Sequence, residues 1–542
     1  MNLIQFKGNW TSFSSILNCL KSNSKLRNYN YLWYHKNRYF FKRTTHSISS
    51  AKKKSSMAFD IPKDNSRVSY VHDDLIADRV RKRKNIHFFE VRELPEGVKA
   101  HPNPISVAGG MPSHGFFPIE SIDVNLDSEP FAFDGKDSFN IPDISKDDEL
   151  IDLQNALQYA DTTGFPALRK ATKSFVSRVV KPKIEKWSTI ITLGGADGIS
   201  KVMDVLVNPG DSVLFEEFTF TPILNYCVER GGIPVPIKLS EVMKNKTLGN
   251  MEYADELEQM LSHWKERYSN LPLPKCLYTI PNGHNPLGVA QTFEQKKKIY
   301  ALAEKYNFFI IEDEPYAYLN FSPVDEKPNF KLNNDEFISR LYPSYTTLDK
   351  SGRVCRLETF SKIFAPGTRL GYATGHPQFL EYMKTSANLY TRAPSGLSQA
   401  IVNDTIAHLG GTEGWIHWIT LVRNHYLERK NALVKAIKES EAGKKGYLLP
   451  LDPSCGMFVA CKVDFDISKE DQFTELMEKF LLNCQIAGVL PVLGINMAVD
   501  KVFSASRGNF IRIAISYPDE ISVLEEAAKR LSIAAVQTFK NL

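Results

Sequence analysis

Lys362 stands just after Arg356-Leu-Glu-Thr-Phe360, a run that reads as a buried strand. A lysine held at such an end is desolvated unless paired. It then loses its proton more readily and becomes a nucleophile toward carbonyl carbon. The plain alternative is a surface lysine at a strand end. Its company argues otherwise: Ser361 precedes it, and Arg369 follows beyond a Pro-Gly turn. Asp313 ends another apolar run, with Tyr316 across Pro315. An amine for an aldehyde, a carboxylate for a ring nitrogen and a cation for a phosphate are what pyridoxal phosphate requires of a protein. The 12 histidines form no HxxxH or similar set, so no metal is assigned. His284, beside Asn285, could be a catalytic base, but an ordinary loop histidine is the simpler reading.

The elements that must position these side chains alternate short apolar runs with helical stretches from residue 57 on, as an α/β fold requires. Lys275–Ile280 reads as a buried strand and Pro281–Gly288 as a loop. Thr292 and Gln295 form a capping box opening a helix to about Tyr306, and Phe308–Ile311 is the next strand. Strand, helix and strand at this length make a right-handed crossover in a parallel sheet. Ligands of such sheets bind beyond the carboxyl ends of the strands. Five apolar runs end there: Ile190-Ile191 before Gly194-Gly195, Val213–Phe215 before Glu216, Tyr278–Ile280 before Asn285, Phe308–Ile311 before Asp313, and Arg356–Phe360 before Lys362. The last part, 401–542, has long helices (Trp415–Ile437, Lys469–Gly488) and a late strand, Phe510–Ile515, and reads as a smaller α+β domain. The expected organisation is a basic leader (1–56), an arm contributing to the small domain and to substrate cover (57–130), a large domain (131–400) and a small domain (401–542).

At 542 residues the chain exceeds one ordinary domain, and 43% hydrophobic with 24% charged residues excludes a disordered or fibrous chain. No window carries the roughly 20 apolar residues of a membrane span. The 7 cysteines are scattered and never CxxC, which suits a reducing compartment. The net charge of +5 is unevenly placed: residues 1–56 hold eleven Lys and Arg and no acid, and subtracting those eleven leaves −6 for the body. The leader is either a mitochondrial targeting segment or a dispensable extension ahead of a second start at Met57. The expected location is cytoplasmic, with the mitochondrial matrix as the alternative. The run Arg79–Lys84 reads as a solvated charged face rather than a nucleic-acid patch.

The segments "YTIPNGHNPLG" (278–288), "IIEDEPY" (310–316), "LDKSGRVCRLETFSKIFAPGTRLGY" (348–372) and "FIRIAIS" (510–516), in this order, resemble the fold-type I, class I/II pyridoxal-phosphate aminotransferases. The likeness is greatest to the fungal aromatic-amino-acid and 2-aminoadipate enzymes and covers roughly residues 100–520. It implies a large domain with a mostly parallel central sheet flanked by helices and a smaller α+β domain. It also implies transfer of an amino group, by a ping-pong mechanism, from an aromatic amino acid or 2-aminoadipate to a 2-oxo acid such as 2-oxoglutarate.

Carried over by residue, the resemblance makes Lys362 the Schiff-base lysine and proton shuttle, and Asp313 the partner of the pyridine nitrogen. Asn285 and Tyr316 would bond the ring hydroxyl, and Arg369 would clamp the phosphate with its planar fork. Ser361 belongs to the same motif. The phosphate would also sit on the helix opening at Gly194-Gly195-Ala196-Asp197. There the chain departs from the family, which carries Ser and Gln where Gly195 and Ala196 stand; Thr359 is expected to supply part of the lost contact. Phe220 occupies the place of a ring-stacking Tyr.

Tyr159 matches a tyrosine that reaches the neighbouring subunit's phosphate, implying a homodimer; the alternative is a core tyrosine. Arg512 is either half of a buried ion pair or, by the resemblance, the clamp of the substrate α-carboxylate. The loop 108–118, with Gly110, resembles the segment covering the substrate. The rivals are a lyase or decarboxylase on the same scaffold and an aminotransferase-like transcription regulator. The latter needs a helix-turn-helix pattern before residue 110, and the sequence has none; no nucleic acid or membrane partner is expected.

Overall fold

The computed structural model describes residues 70–83, 94–105, 107, 110–127, 138–239, 251–321 and 326–540. The leader and the first part of the arm lie outside the described residues. Strands β1 (Ser121–Asp127) and β2 (Ser138–Ser145) pair as an antiparallel hairpin across the expected boundary at 130. Helix α1 (Pro166–Val179) opens on Pro166, whose fixed φ suits a first helical turn. Then come β3 (Ser188–Thr192), α2 (Gly195–Leu206), β4 (Ser212–Glu216), β5 (Ile233–Ile237), β6 (Cys276–Thr279), α3 (Phe293–Tyr306), β7 (Phe309–Asp313), β8 (Val354–Thr359) and β9 (Gly371–Gly375). Seven of these strands form one sheet in the order β3-β9-β8-β7-β6-β4-β5.

β5, β4, β6, β7 and β8 run parallel, and β9 lies antiparallel between β8 and β3. β3 therefore points the same way as β8. The expected strand ends share one edge, and only β9 breaks the direction. The crossover from β6 through α3 to β7 is present. Thr292 caps α3, its side chain accepting from Gln295 N, and the helix stops at Asn307 in a left-handed turn (φ 52°). The capping box is only half formed, because the Gln295 side chain accepts instead from Tyr253 N (3.2 Å) and Ala254 N (2.9 Å).

A second, antiparallel sheet follows in the C-terminal part, in the order β10-β11-β13-β12. Its strands are β10 (Leu448–Pro450), β11 (Phe458–Val463), β12 (Val492–Leu493) and β13 (Phe510–Ala514). Helices α4 (Gly411–Glu439), α5 (Phe473–Ala487) and α6 (Ile521–Lys540) accompany it. α5 starts four residues later than the sequence suggests, since Ile467–Gln472 coils as a tighter 3-10 turn with a kink at Lys469. The helix Gly396–His408 runs across the expected boundary at 400.

The large sheet carries an unanticipated polar layer. Along β7 and β8 successive side chains alternate faces. Asp313 and Thr359 fall on one face; Glu312, Arg356 and Glu358 fall on the other. The Arg356 guanidinium lies 3.5 Å from Glu312, 3.1 Å from Glu314 and 3.1 Å from Glu358, all of them buried. Arg79 and Arg83 correct another expectation. They are not a free solvated face but pair with Asp204 near the end of α2, at 3.0 and 2.7 Å.

Candidate active site

The carboxyl-end edge of the large sheet gathers most of the expected residues. Gly194 precedes α2 at φ 81°, a backbone state that favours glycine, and no side chain caps the helix. The first amides of α2 are thus left without helical acceptors and open to an anion. A Cβ at Gly194 would stand 3.0 Å from Arg369 Nη2, so the guanidinium lies directly over this turn. Arg369 itself sits in a left-handed conformation (φ 51°) and, among the described residues, spends only Nη1 on the chain, donating to Pro366 O at 3.1 Å. Thr359 faces Gly195, its Cβ 3.7 Å from where a Gly195 Cβ would be. The Thr359 hydroxyl also accepts from Ser361 N (3.1 Å) and bonds the Ser361 hydroxyl (2.9 Å). Gly195, Thr359, Ser361 and Arg369 are thus brought together around one turn, with Ala196 in the first turn of the helix it opens.

Lys362 closes the 3-10 turn Phe360–Lys362 that follows β8. Its ammonium makes no hydrogen bond or ion pair among the described residues. Burial, then the Arg369 and Arg512 charges, push its pKa down from the ordinary lysine value. Asp313 ends β7 and is buried; burial pushes its carboxyl up to about 7, opposed by a bond from Tyr278. The Tyr278 hydroxyl donates to Asp313 Oδ2 at 2.5 Å. Register explains the pair: Tyr278 lies opposite Ile311, and Asp313 is two residues on, on the same face of the neighbouring strand.

Asn285, Tyr316 and Arg512 form a third group. Arg512 Nη1 donates to Asn285 Oδ1 at 2.9 Å, and the guanidinium lies over the Phe458 ring, 4.3 Å from its centroid. Phe458 meets Tyr316 edge-on at 5.7 Å. Burial pushes the Tyr316 phenol up, as does Asp313, while Arg512 and the Asn285 amide oppose them. Arg512 has no carboxylate partner among the described residues, and its buried Nε has no hydrogen-bond acceptor. The buried ion pair that sequence alone left open is therefore not made.

Other expectations fare differently. Tyr159 is 77% exposed, which removes the core-tyrosine alternative. Phe220 lies at the same sheet edge, just before the short turn Thr221–Ile223, and is 39% exposed. Gly110 is exposed, with open space around it. His284 is a loop histidine, as the simpler reading had it, but a fully buried one. It lies 3.9 Å from Glu216, and burial pushes it down to about 3, so its imidazolium is disfavoured and the ring is a poor proton acceptor at neutral pH. Tyr278 and Phe458 are the site residues sequence reasoning missed. Each sits two positions along a strand from the register partner of a chosen residue, a signal visible only once the strands are aligned.

The chain fits pyridoxal phosphate. It offers a cradle that a Gly194 side chain would fill, an unpaired lysine, a buried carboxylate with Oδ1 unused, and an arginine with an orphaned Nε. Among the described residues no cluster of His, Cys, Asp or Glu could hold a metal, and no helix is long and apolar enough to cross a membrane. The family model for aminotransferase class I and II matches residues 121–522.

The chain belongs to this family.

It is 35% identical over 502 residues to aromatic amino acid aminotransferase 2 of Saccharomyces cerevisiae, covering 86% of this chain and 95% of the relative. The solved aromatic aminotransferase Aro9 of C. albicans is 40% identical, with a TM-score of 0.80 over 86% of this chain and 98% of that one. An L-tyrosine:2-oxoglutarate aminotransferase of Serpula lacrymans is 30% identical over 381 residues, 67% of this chain and 69% of the relative. The protein is thus a pyridoxal-phosphate-dependent aminotransferase with the fold-type I architecture, taking an amino acid and a 2-oxo acid as substrates.

Proposed function

We propose that this aminotransferase moves the amino group of an aromatic amino acid to 2-oxoglutarate, with Lys362 as its catalytic amine. The observation that carries the reading is the convergence of unpaired Lys362, the Gly194–Arg369 cradle and carboxylate-free Arg512 at one sheet edge. Pyridoxal phosphate, when bound, supplies an aldehyde that accepts the amine and a cationic ring that draws electrons from the substrate α-carbon.

The chain does the rest. Arg369, Thr359, Ser361 and the amides of Gly195 and Ala196 bind the phosphate. Asp313 holds a proton on the ring nitrogen, while Asn285 and Tyr316 bond the ring hydroxyl and Phe220 covers the ring. Arg512 binds the α-carboxylate, the Phe458 ring and Asn285 fixing its plane. Lys362 Nζ, its pKa lowered by burial and two nearby guanidiniums, carries the proton to and from the α-carbon. The aromatic donor is supported by the names of the matching relatives; 2-aminoadipate is the second donor to test.

The active unit in this reading is a homodimer, with Tyr159 reaching the other subunit's phosphate and the segment around Gly110 covering the substrate. Exposed Phe116, Leu389 and Tyr390 offer apolar surface for a second copy. The enzyme is taken to be cytoplasmic, which the six buried, unpaired described cysteines suit.

The test is a panel of amino donors with 2-oxoglutarate, reported as kcat/KM, beside Lys362→Ala. The expected result is amine transfer, fastest from aromatic donors and abolished by the substitution. Transamination at the wild-type rate by Lys362→Ala, or carbon dioxide release in place of amine transfer, would overturn the reading.

A further inference from the structure

The Asp313 carboxylate has one hydrogen bond among the described residues, and it comes from the Tyr278 hydroxyl. Tyr278 is fully buried in the middle of β6, where a phenol needs a reason to be. Its ring packs on Phe215 at 5.5 Å, and its hydroxyl reaches across to Asp313 Oδ2 at 2.5 Å. That distance is the short end of an O–H to carboxylate bond, the strong charge-assisted kind. The bond occupies one carboxylate oxygen and leaves Oδ1 without a partner.

We propose that Tyr278 is a positioning residue for the cofactor: its hydroxyl fixes the orientation and charge of the Asp313 carboxylate and leaves Oδ1 for the ring nitrogen. The proposal rests on the reading of Asp313 given above.

The surroundings leave this task to Tyr278. From β8 the register partner of Asp313 is Leu357, which offers no donor. Tyr316, beyond the end of β7, and Glu216 on β4, beyond Tyr278, are the other titratable groups facing the pair. Glu312 and Glu314 belong to the opposite face, with Arg356. α2, which packs on the Asp313 face, carries the Asp197–Lys201 ion pair, each charge satisfied by the other. Among the described residues no cation touches Asp313, so burial works against its charge and only the phenol supports it. Tyr278 is itself pushed up by burial, so it remains a neutral donor throughout the working range.

The experiment measures the dissociation constant of pyridoxal phosphate for the apoenzyme by tryptophan fluorescence, across pH 5.5–8.5. It compares wild type, Tyr278→Phe and Asp313→Asn. Pyridoxal phosphate arriving with a protonated ring needs an ionised Asp313, so wild-type affinity should fall as pH drops through about 7. Tyr278→Phe keeps the ring and its packing and removes one oxygen. Its midpoint should move upward, and its dissociation constant at pH 7 should rise roughly 10- to 100-fold, the worth of one hydrogen bond to a charged group. Asp313→Asn should show weak binding with that limb gone. A Tyr278→Phe curve that overlays wild type, while Asp313→Asn loses the limb, would overturn the proposal and leave the Asp313 reading intact. An Asp313→Asn curve that keeps the limb would overturn the Asp313 reading and the proposal with it.

Discussion

Arg512→Lys keeps a positive charge on β13 and removes the planar fork. In the native chain the guanidinium lies 4.3 Å from the Phe458 ring centroid, gives Nη1 to Asn285 and leaves Nε without an acceptor. A carboxylate bound by this fork would gain two parallel charge-assisted bonds, of which an ammonium on a flexible stem reproduces one. Losing the other costs about 2–3 kcal/mol, and at roughly 1.4 kcal/mol per tenfold this is roughly a 30- to 150-fold loss of kcat/KM. The assay is transamination of L-phenylalanine with 2-oxoglutarate, beside half-reaction rates with 2-phenylethylamine, which lacks the carboxylate. The substitution should penalise the amino acid and spare the amine, with pyridoxal phosphate affinity unchanged.

Stability gives a second, independent reading. Breaking a buried ion pair strands its carboxylate and costs about 3–5 kcal/mol. Arg512 strands none, so the variant should unfold within about 1 kcal/mol of wild type, the worth of the lost ring contact. Equal losses for the amino acid and the amine, or a stability loss of ion-pair size, would refute the reasoning.

Asp313→Asn should stabilise the apoenzyme. A carboxyl raised from 3.8 to about 7 on folding contributes stability below pH 4 that is lost as pH rises to 7. At pH 8 the ionised side chain costs up to about 4 kcal/mol, so the variant's apo unfolding temperature should exceed wild type there and the gap should narrow toward pH 5; a lower temperature at pH 8 would refute it. His284 has the opposite sign. It is held near 3 while folded, against 6.5 in an open chain, so the protein loses stability as pH falls below 6.5. His284→Asn should therefore resist acid unfolding better than wild type and leave the kcat–pH profile above pH 6 in place; loss of a limb from that profile would restore His284 as a base.

The sequence made the site legible where one residue at a strand end sufficed. Lys362, Asp313, Asn285 and Arg369 needed only their strands and the rule that ligands gather at carboxyl ends. The structure bears out that edge, with β9 the single strand running against it. What stayed hidden depends on register between strands far apart in the chain. Tyr278 reads as one more apolar strand residue until β6 is laid beside β7, and Phe458 until β11 is laid beside β13. The polar layer did leave a trace. Glu312 and Glu314, like Arg356 and Glu358, are spaced by two along buried strands, and charges with that period on one face must answer one another. His284 carries no such trace, because the groups beside it, Glu216 and the Phe218 backbone, belong to a different strand end.

The two faces of the large sheet divide the electrostatic work. Beneath it, Arg356 meets three glutamates and Lys296 donates to Asn282 (3.0 Å) and to Pro343 O (2.6 Å), so the charges there find partners within the fold. At the site the pattern reverses: Lys362 and Asp313 of the large sheet, and Arg512 reaching it from β13, are desolvated and left without an opposite charge. A fold does not leave three such groups uncompensated for its own sake, since each costs stability that burial of apolar side chains would have supplied. Their complement is a single small molecule with an aldehyde, a basic ring nitrogen and a carboxylate-bearing substrate beside it. Binding should therefore stabilise this protein more than the contact area alone predicts, because it removes desolvation penalties already present in the apoenzyme.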